Sequence, residues 1–334
     1  MVGFAERRRL PFAFAAEKTM RIRPFTACRA FASARWAITA FALLATRGTS
    51  VLAGFQYYTF DVPGAMWTDA TGIDGGTIVE TYEDSSRHIH GFIYNDSRFT
   101  TLDDPLGVGT FLNGISGNVV VGNNGDAPSQ PIGFVYDGST FTTLQLPTAY
   151  EGPNPTGVWR HTVVGSYNDR DTGKLHGFVY DGSTYMTLDV PSAMATGAHG
   201  IFGQDIVGDY NDESGRTHGF LYDGSSFRTI DPPGAGLSYA TAVSGGAVVG
   251  YDSRGFGYIF DGAEFSFING PLARPGTDTS VEGISGDVVV GSYVSDHQHG
   301  FIAMVPEPAA GLLLGICLAV VARRGRPSRG LSHG

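Results

Sequence analysis

From residue 54 onward the apolar positions fall into short runs that alternate or cluster, separated by turn residues, and the same runs return again and again. The clearest copy is HGFLYDGSSFRTIDPP at 218–233, matched by HGFVYDGSTYMTLDVP at 176–191 and IGFVYDGSTFTTLQLP at 132–147. HGFIYNDSRFTTLDDP at 90–105, GYIFDGAEFSFINGP at 257–271 and a truncated HGFIAM at 299–304 complete the series. Within each copy a GFxY piece places large apolar residues at i and i+2, the mark of a strand with one buried face. An Asp-Gly turn follows (Asp137-Gly138, Asp181-Gly182, Asp223-Gly224, Asp261-Gly262), and then a second strand of the form FxTL, ended by proline. A third, short piece ends at Ile73, Ile115, Val158, Ile201, Val243 and Ile284. The fourth is the β-branched VVGxY run around Val79, Val120, Val163, Val207, Val248 and Val289, whose unbroken apolar character predicts burial on both faces.

The GF glycines at 91, 133, 177, 219, 257 and 300 are spaced by 42, 44, 42, 38 and 43 residues. Four strands per unit at a period of about 42 residues predict an all-β, six-bladed β-propeller over 54–304. The ends fit a ring. YYTFDVPGA (57–65) is a second piece without a first, and HGFIAM is a first piece without a second, so one blade is expected to be closed by both termini. Closure removes the free sheet edges that a linear array would leave.

Outside the repeats the pattern changes. Residues 1–53 hold a basic stretch from Met20 to Arg35, the apolar run WAITAFALLA (36–45) and Val51-Leu52-Ala53. That is the order of a signal peptide cleaved after Ala53, whether translation starts at Met1 or at Met20. At the other end, residues 305–334 comprise Val305-Pro306-Glu307-Pro308, the apolar AAGLLLGICLAVVA (309–322), and then Arg323, Arg324, Arg326 and Arg329. This length and flanking charge predict a single transmembrane helix with its arginines in the cytoplasm. The tripartite tail resembles the PEP-CTERM sorting signal of exopolysaccharide-producing Gram-negative bacteria. That resemblance implies recognition by an exosortase-type enzyme, cleavage near Pro306-Glu307-Pro308, transient anchoring in the inner membrane and delivery to the envelope surface or medium. The repeats are similar to the HAF-type extracellular repeat, with HGF for His-Ala-Phe, which implies an exported repeat protein and brings no catalytic residues with it.

Charge narrows the partners. The chain carries 22 basic and 32 acidic residues, but residues 54–304 hold nine and 29 of them, a net −20. So acidic a domain repels nucleic acid. The two cysteines, Cys28 and Cys317, both lie outside the repeats, which excludes disulfides and cysteine-based metal sites within them.

Candidate chemistry is sparse. His90, His176, His218 and His299 precede the GF pairs and are read as loop caps or bonds to a neighbouring blade. Asp169 and Asp171 in NDRDTGK open like a calcium loop without its later ligands, so structural calcium is a weak expectation and turn formation the stronger one. The largest break in the repeat is AYEGPNPTGVWRHT (149–162), read as a loop insertion. It brings Tyr150, Glu151, Trp159, Arg160 and His161 forward as candidate ligand-binding residues. No nucleophile elbow, P-loop or H-E-x-x-H occurs, and no catalytic residue or cofactor is assigned. The function expected is noncatalytic binding or scaffolding at the cell surface, with an exopolysaccharide or matrix glycan as partner. The alternative is a polysaccharide hydrolase or lyase acting at the propeller's central mouth, which an asymmetric carboxylate pair there would favour.

Overall fold

The computed structural model describes residues 55–95, 98–125, 132–150, 152–270, 273 and 278–305. The expected signal peptide, sorting motif, transmembrane stretch and arginine tail lie outside the described residues. Those described contain 24 strands and no helix, arranged as six four-stranded antiparallel sheets. The first blade runs Trp67–Asp74, Thr77–Glu83, Ile89–Asn95 and Arg98–Thr101 (β2 to β5). The second is Thr110–Ser116, Val119–Asn124, Ile132–Tyr136 and Phe141–Thr143 (β6 to β9). The third is Asn154–Trp159, Thr162–Asn168, Leu175–Tyr180 and Tyr185–Leu188 (β10 to β13). The fourth is Ala195–Phe202, Asp205–Asn211, Thr217–Tyr222 and Phe227–Ile230 (β14 to β17). The fifth is Ser238–Ser244, Ala247–Asp252, Gly257–Phe260 and Phe265–Ile268 (β18 to β21).

The closing blade is built from both ends of the domain. Thr279–Ser285, Val288–Val294 and Gln298–Met304 (β22 to β24) take Gln56–Phe60 (β1) as their outermost strand. Tyr58 stands opposite Ile302 and Phe60 opposite Gly300. The innermost strands β2, β6, β10, β14, β18 and β22 contact one another in turn, and β22 returns to β2, so the ring is complete. Within a blade the order from axis to rim is third piece, VVG piece, GF piece, FxTL piece. The third piece is longer than its sequence suggested, at six to eight residues. Nor is 149–162 an insertion, since Asn154–Trp159 is the innermost strand of the third blade. It is the third piece read as ending at Val158, and an inner edge strand tolerates the N–H that Pro155 lacks.

The repeated words now have physical causes. Phe92, Phe134, Phe178, Phe220, Tyr258 and Phe301 are each almost wholly buried, and in the second to fifth blades the ring meets its rim-strand partner edge to face. Such pairs add to the stabilisation from burial. The glycine of VVG is a close approach. A Cβ on Gly122, Gly165, Gly208, Gly250 or Gly291 would stand only 1.9–2.1 Å from a carbonyl oxygen of the inner strand. The first blade alone has a side chain there, Glu80, with no exposed surface.

Candidate functional site

The axis carries the first set of candidate groups. All six inner strands have a β-bulge at one place, and the bulged residues are Thr71, Asn113, Thr156, His199, Thr241 and Glu282. A bulge re-aims a side chain, and these six line the central channel. Four of them tie each blade to the next. Thr71 Oγ1 donates to Leu112 O (2.6 Å), Asn113 Nδ2 to Pro155 O (2.7 Å), Thr156 Oγ1 to Ala198 O (2.7 Å) and Thr241 Oγ1 to Val281 O (2.5 Å). The other two break the girdle. His199 Nε2 turns instead to Asp209 of its own blade, and Glu282 sits near Asp69.

Electrostatics single out this side of the ring. Burial, then repulsion from Asp69, pushes the Glu282 carboxyl up to about 7, against a bond from Ser280 and the His199 charge. Burial also raises Asp69, against bonds from Ser292 and Gln298 of the closing blade. Glu80 is held well above the carboxylate range by burial first and by Asp69 and Asp61 next, and both its oxygens lack a hydrogen-bond partner. The channel is narrow here. Its cavity of about 70 Å³ has room for a handful of waters.

The recurrent histidines form a second set. His90, His176, His218 and His299 bond through Nδ1 to Asp103 (2.9 Å), Asp189 (2.7 Å), Asp231 (2.7 Å) and Asp61 (3.0 Å), the aspartates that follow the rim strands. Each ring stacks on the tyrosine of the VVG strand, Tyr82, Tyr167, Tyr210 or Tyr293, at 5.2–5.4 Å. Of the two expected roles, the bond to a neighbouring blade is corrected, since each histidine joins strands of its own blade. Nε2 of His90, His218 and His299 faces an aspartate of the preceding turn (Asp84, Asp212 and Asp296), as a loop cap does. In the second and fifth blades all three members change together, to Asn124, Ile132 and Gln145 and to Asp252, Phe256 and Asn269. Other contacts replace the triad, Asn124 Nδ2 donating to Asp104 and Arg254 pairing with Asp252 at 2.6 Å. Such joint loss marks the triad as one packing unit.

The candidates from 149–162 do not come together. Tyr150 is exposed on the axial face that carries the turns between second and third strands, where its N–H bonds to Asn168 O. Trp159, Arg160 and His161 sit on the opposite face, at the hairpin from β10 to β11. Trp159 packs towards Phe202 of the fourth blade with the Arg160 guanidinium over its ring at 4.4 Å. Glu151 lies outside the described residues. Asp169 is an Asx-turn residue whose Oδ1 accepts from the N–H groups of Asp171 and Thr172 and from the Thr172 hydroxyl. Asp169 and Asp171 are not part of a close ligand group among the described residues; Asp61, His297 and His299 are.

His161 does border a large concavity, a groove of about 670 Å³ between the second and third blades. That is within the usual range of ligand sites. Tyr180 and Tyr185 form one wall, stacked at 4.4 Å, and Asp137, Gln145, Thr142 and Ser183 supply polar groups around it. The Tyr185 hydroxyl is buried without a fully formed hydrogen bond, the Gln145 backbone being beside it, and burial with Tyr180 pushes its pKa up to about 12. Sequence reasoning passed over these residues because Tyr180 and Tyr185 occupy ordinary repeat positions. The available signals were Gln145, which stands where most copies have aspartate, and Tyr185, which stands where most copies have phenylalanine.

No family model and no curated protein sequence matches this chain. Solved propellers resemble it distantly. Aleuria aurantia lectin in complex with α-methyl-L-fucoside is 15% identical, with a TM-score of 0.45 over 75% of this chain and 99% of that one. The β-propeller domain of the Trilobed protease from Pyrococcus furiosus is 12% identical, with a TM-score of 0.47 over 72% and 94%. SapL1 lectin in complex with α-methyl fucoside is 13% identical, with a TM-score of 0.42 over 72% and 96%. The fold itself, a six-bladed propeller closed by strands from both ends of the domain, rests on the sheet topology of this chain.

Proposed function

We propose that the chain is an exported, noncatalytic binding or scaffolding protein whose groove between the second and third blades takes a glycan of the cell-surface matrix. The observation that carries this reading is the pairing of a stacked tyrosine wall, Tyr180 and Tyr185, with hydrogen-bonding groups on Asp137, Gln145 and Ser183. A sugar ring offers apolar C–H faces and equatorial hydroxyls, and an amphipathic aromatic wall rimmed by polar groups suits both. The Pro306-Glu307-Pro308 motif, apolar run and Arg323, Arg324 and Arg326 support sorting by an exosortase-type enzyme after transient membrane anchoring. The rival reading, a polysaccharide hydrolase or lyase at the central mouth, draws on the asymmetry of Asp69 and Glu282. The channel narrows to about 70 Å³ at the bulged residues, against about 670 Å³ in the groove, which favours the groove.

The test is a glycan-array screen of the purified chain, followed by affinity measurements on the best glycan. Tyr185→Ala and Tyr180→Ala should weaken binding by tenfold or more, about 1.4 kcal/mol, while Glu282→Gln leaves it unchanged. Turnover of the glycan that depends on Glu282, or binding indifferent to both tyrosines, overturns the reading.

A further inference from the structure

The seam where the ring closes differs from the other three histidine-bearing blades in one respect. His299 of β24 is 8% exposed and reaches Asp61, just past β1, across 238 residues of chain, at 3.0 Å. A second imidazole, His297, lies with its ring centroid 3.9 Å from that of His299. Asp296 contacts both rings, Oδ1 to His299 Nε2 at 2.8 Å and Oδ2 to His297 Nδ1 at 3.3 Å. One ligand atom from each of Asp61, His297 and His299 falls within 4.8 Å of the others. A third acid lies behind them. Glu80, wholly buried and with neither oxygen partnered, comes within 3.7 Å of the Cβ position that Gly300 lacks, next to His299 in the chain.

The other blades serve as internal controls. Two residues before the repeat histidine, the third and fourth blades carry Lys174 and Arg216, permanent cations that already face an acceptor. The first blade carries His88, but its ring stands 6.5 Å from that of His90, and these two do not form a close ligand set with Asp103. His88 and His90 both approach Asp84, at 3.9 and 3.6 Å, but among the described residues only the seam brings two imidazoles, which can both be neutral ligands, into one close ligand group with a carboxylate. The two imidazoles, 3.9 Å apart and tilted by 44°, leave nitrogen and carboxylate ligand atoms close enough together to chelate one ion. Nitrogen and carboxylate oxygen together suit a borderline divalent cation such as Zn²⁺, and a carboxylate on the far nitrogen of a ligating histidine orients the ring.

We propose that Asp61, His297 and His299 form a divalent transition-metal site that clamps the N-terminal strand to the C-terminal strand, with Asp296 positioning both imidazoles. The metal joins two segments that only the folded ring brings together, so it binds the closed ring in preference to the open chain.

The test uses the purified full chain stripped with a chelator, Zn²⁺ as the probe, isothermal titration for stoichiometry and thermal unfolding for stability. One ion should bind per chain, and at zinc 100-fold above Kd the midpoint should rise by about 5–10 °C and fall back on chelation. His297 is exposed, so His297→Gln should fold normally and weaken binding by at least about tenfold. His88→Gln, the matched change in the first blade, should bind as the parent does. Absence of zinc binding, binding that His297→Gln leaves intact, or a zinc-bound chain with an unchanged midpoint each overturns the proposal.

Discussion

Glu282 shows how one side chain can set a property of the whole ring. Its neighbours at the same bulge are hydroxyls and an amide that donate to the next blade, whereas a carboxylate has nothing to donate once ionised. Its folded-state pKa of about 7 stands above the ordinary 4.5. Between those values the unfolded chain has released a proton that the folded chain still holds, so stability falls as pH rises through this window. Glu282→Gln keeps the shape and supplies a donor. Urea unfolding across the window should show a flatter pH profile for this variant and, above pH 7, a gain on the order of 2 kcal/mol. An unchanged profile would place the titration elsewhere, with Asp69 or Glu80 the remaining raised acids.

At the scale of the strand, most of what the structure holds could be read from the chain. The GF and VVG glycines, the Asp-Gly turns and the fixed order of apolar residues gave the strands, their pairing and their number, because each reflects a contact made in most of the blades. The glycines are the sharpest case. A Cβ on Gly208 would stand 2.0 Å from Gly197 O, with the Phe220 ring also at 2.8 Å. Gly208→Ala should therefore cost roughly 3 kcal/mol or more in urea unfolding, whereas Gly203→Ala, in an open turn at positive φ, should cost about 1. The candidate sites were less legible. Tyr180 is spelled as in most copies, Tyr185 differs only by a hydroxyl from Phe99, Phe141, Phe227 and Phe265, and the groove lies where the second and third blades meet beside Gln145. The residues that looked exceptional in sequence, Tyr150 and Trp159 with its neighbours, are separated by the length of one strand.

For the molecule as a whole, closure is the weak and decisive step. Five blades are each built from strands consecutive in the chain, and the sixth is held by pairing between β1 and β24. Removing His299–Met304 takes away the partner of β1 and strips the closing blade of its GF strand, exposing the Glu80 region of the first blade. Unfolding of such a deletion should lose cooperativity around the ring, with a midpoint lowered by at least about 10 °C and hydrogen exchange accelerated in the first blade as well as the last. Protection lost in the closing blade alone would describe an open array.

The position of β1 also fixes an order in time. It leaves the ribosome before every other strand of the domain and pairs after all of them, because its partner is the last strand to be made. Until then one segment with an apolar face waits with an unsatisfied edge, and the final contact spans nearly the whole domain. Contacts so distant in sequence form slowly, and waiting edges invite pairing with other chains. A propeller fastened in this way needs either chaperoning during synthesis or a fast final latch. Its concentration-dependent refolding yield, more than its equilibrium stability, would register a defect in the seam.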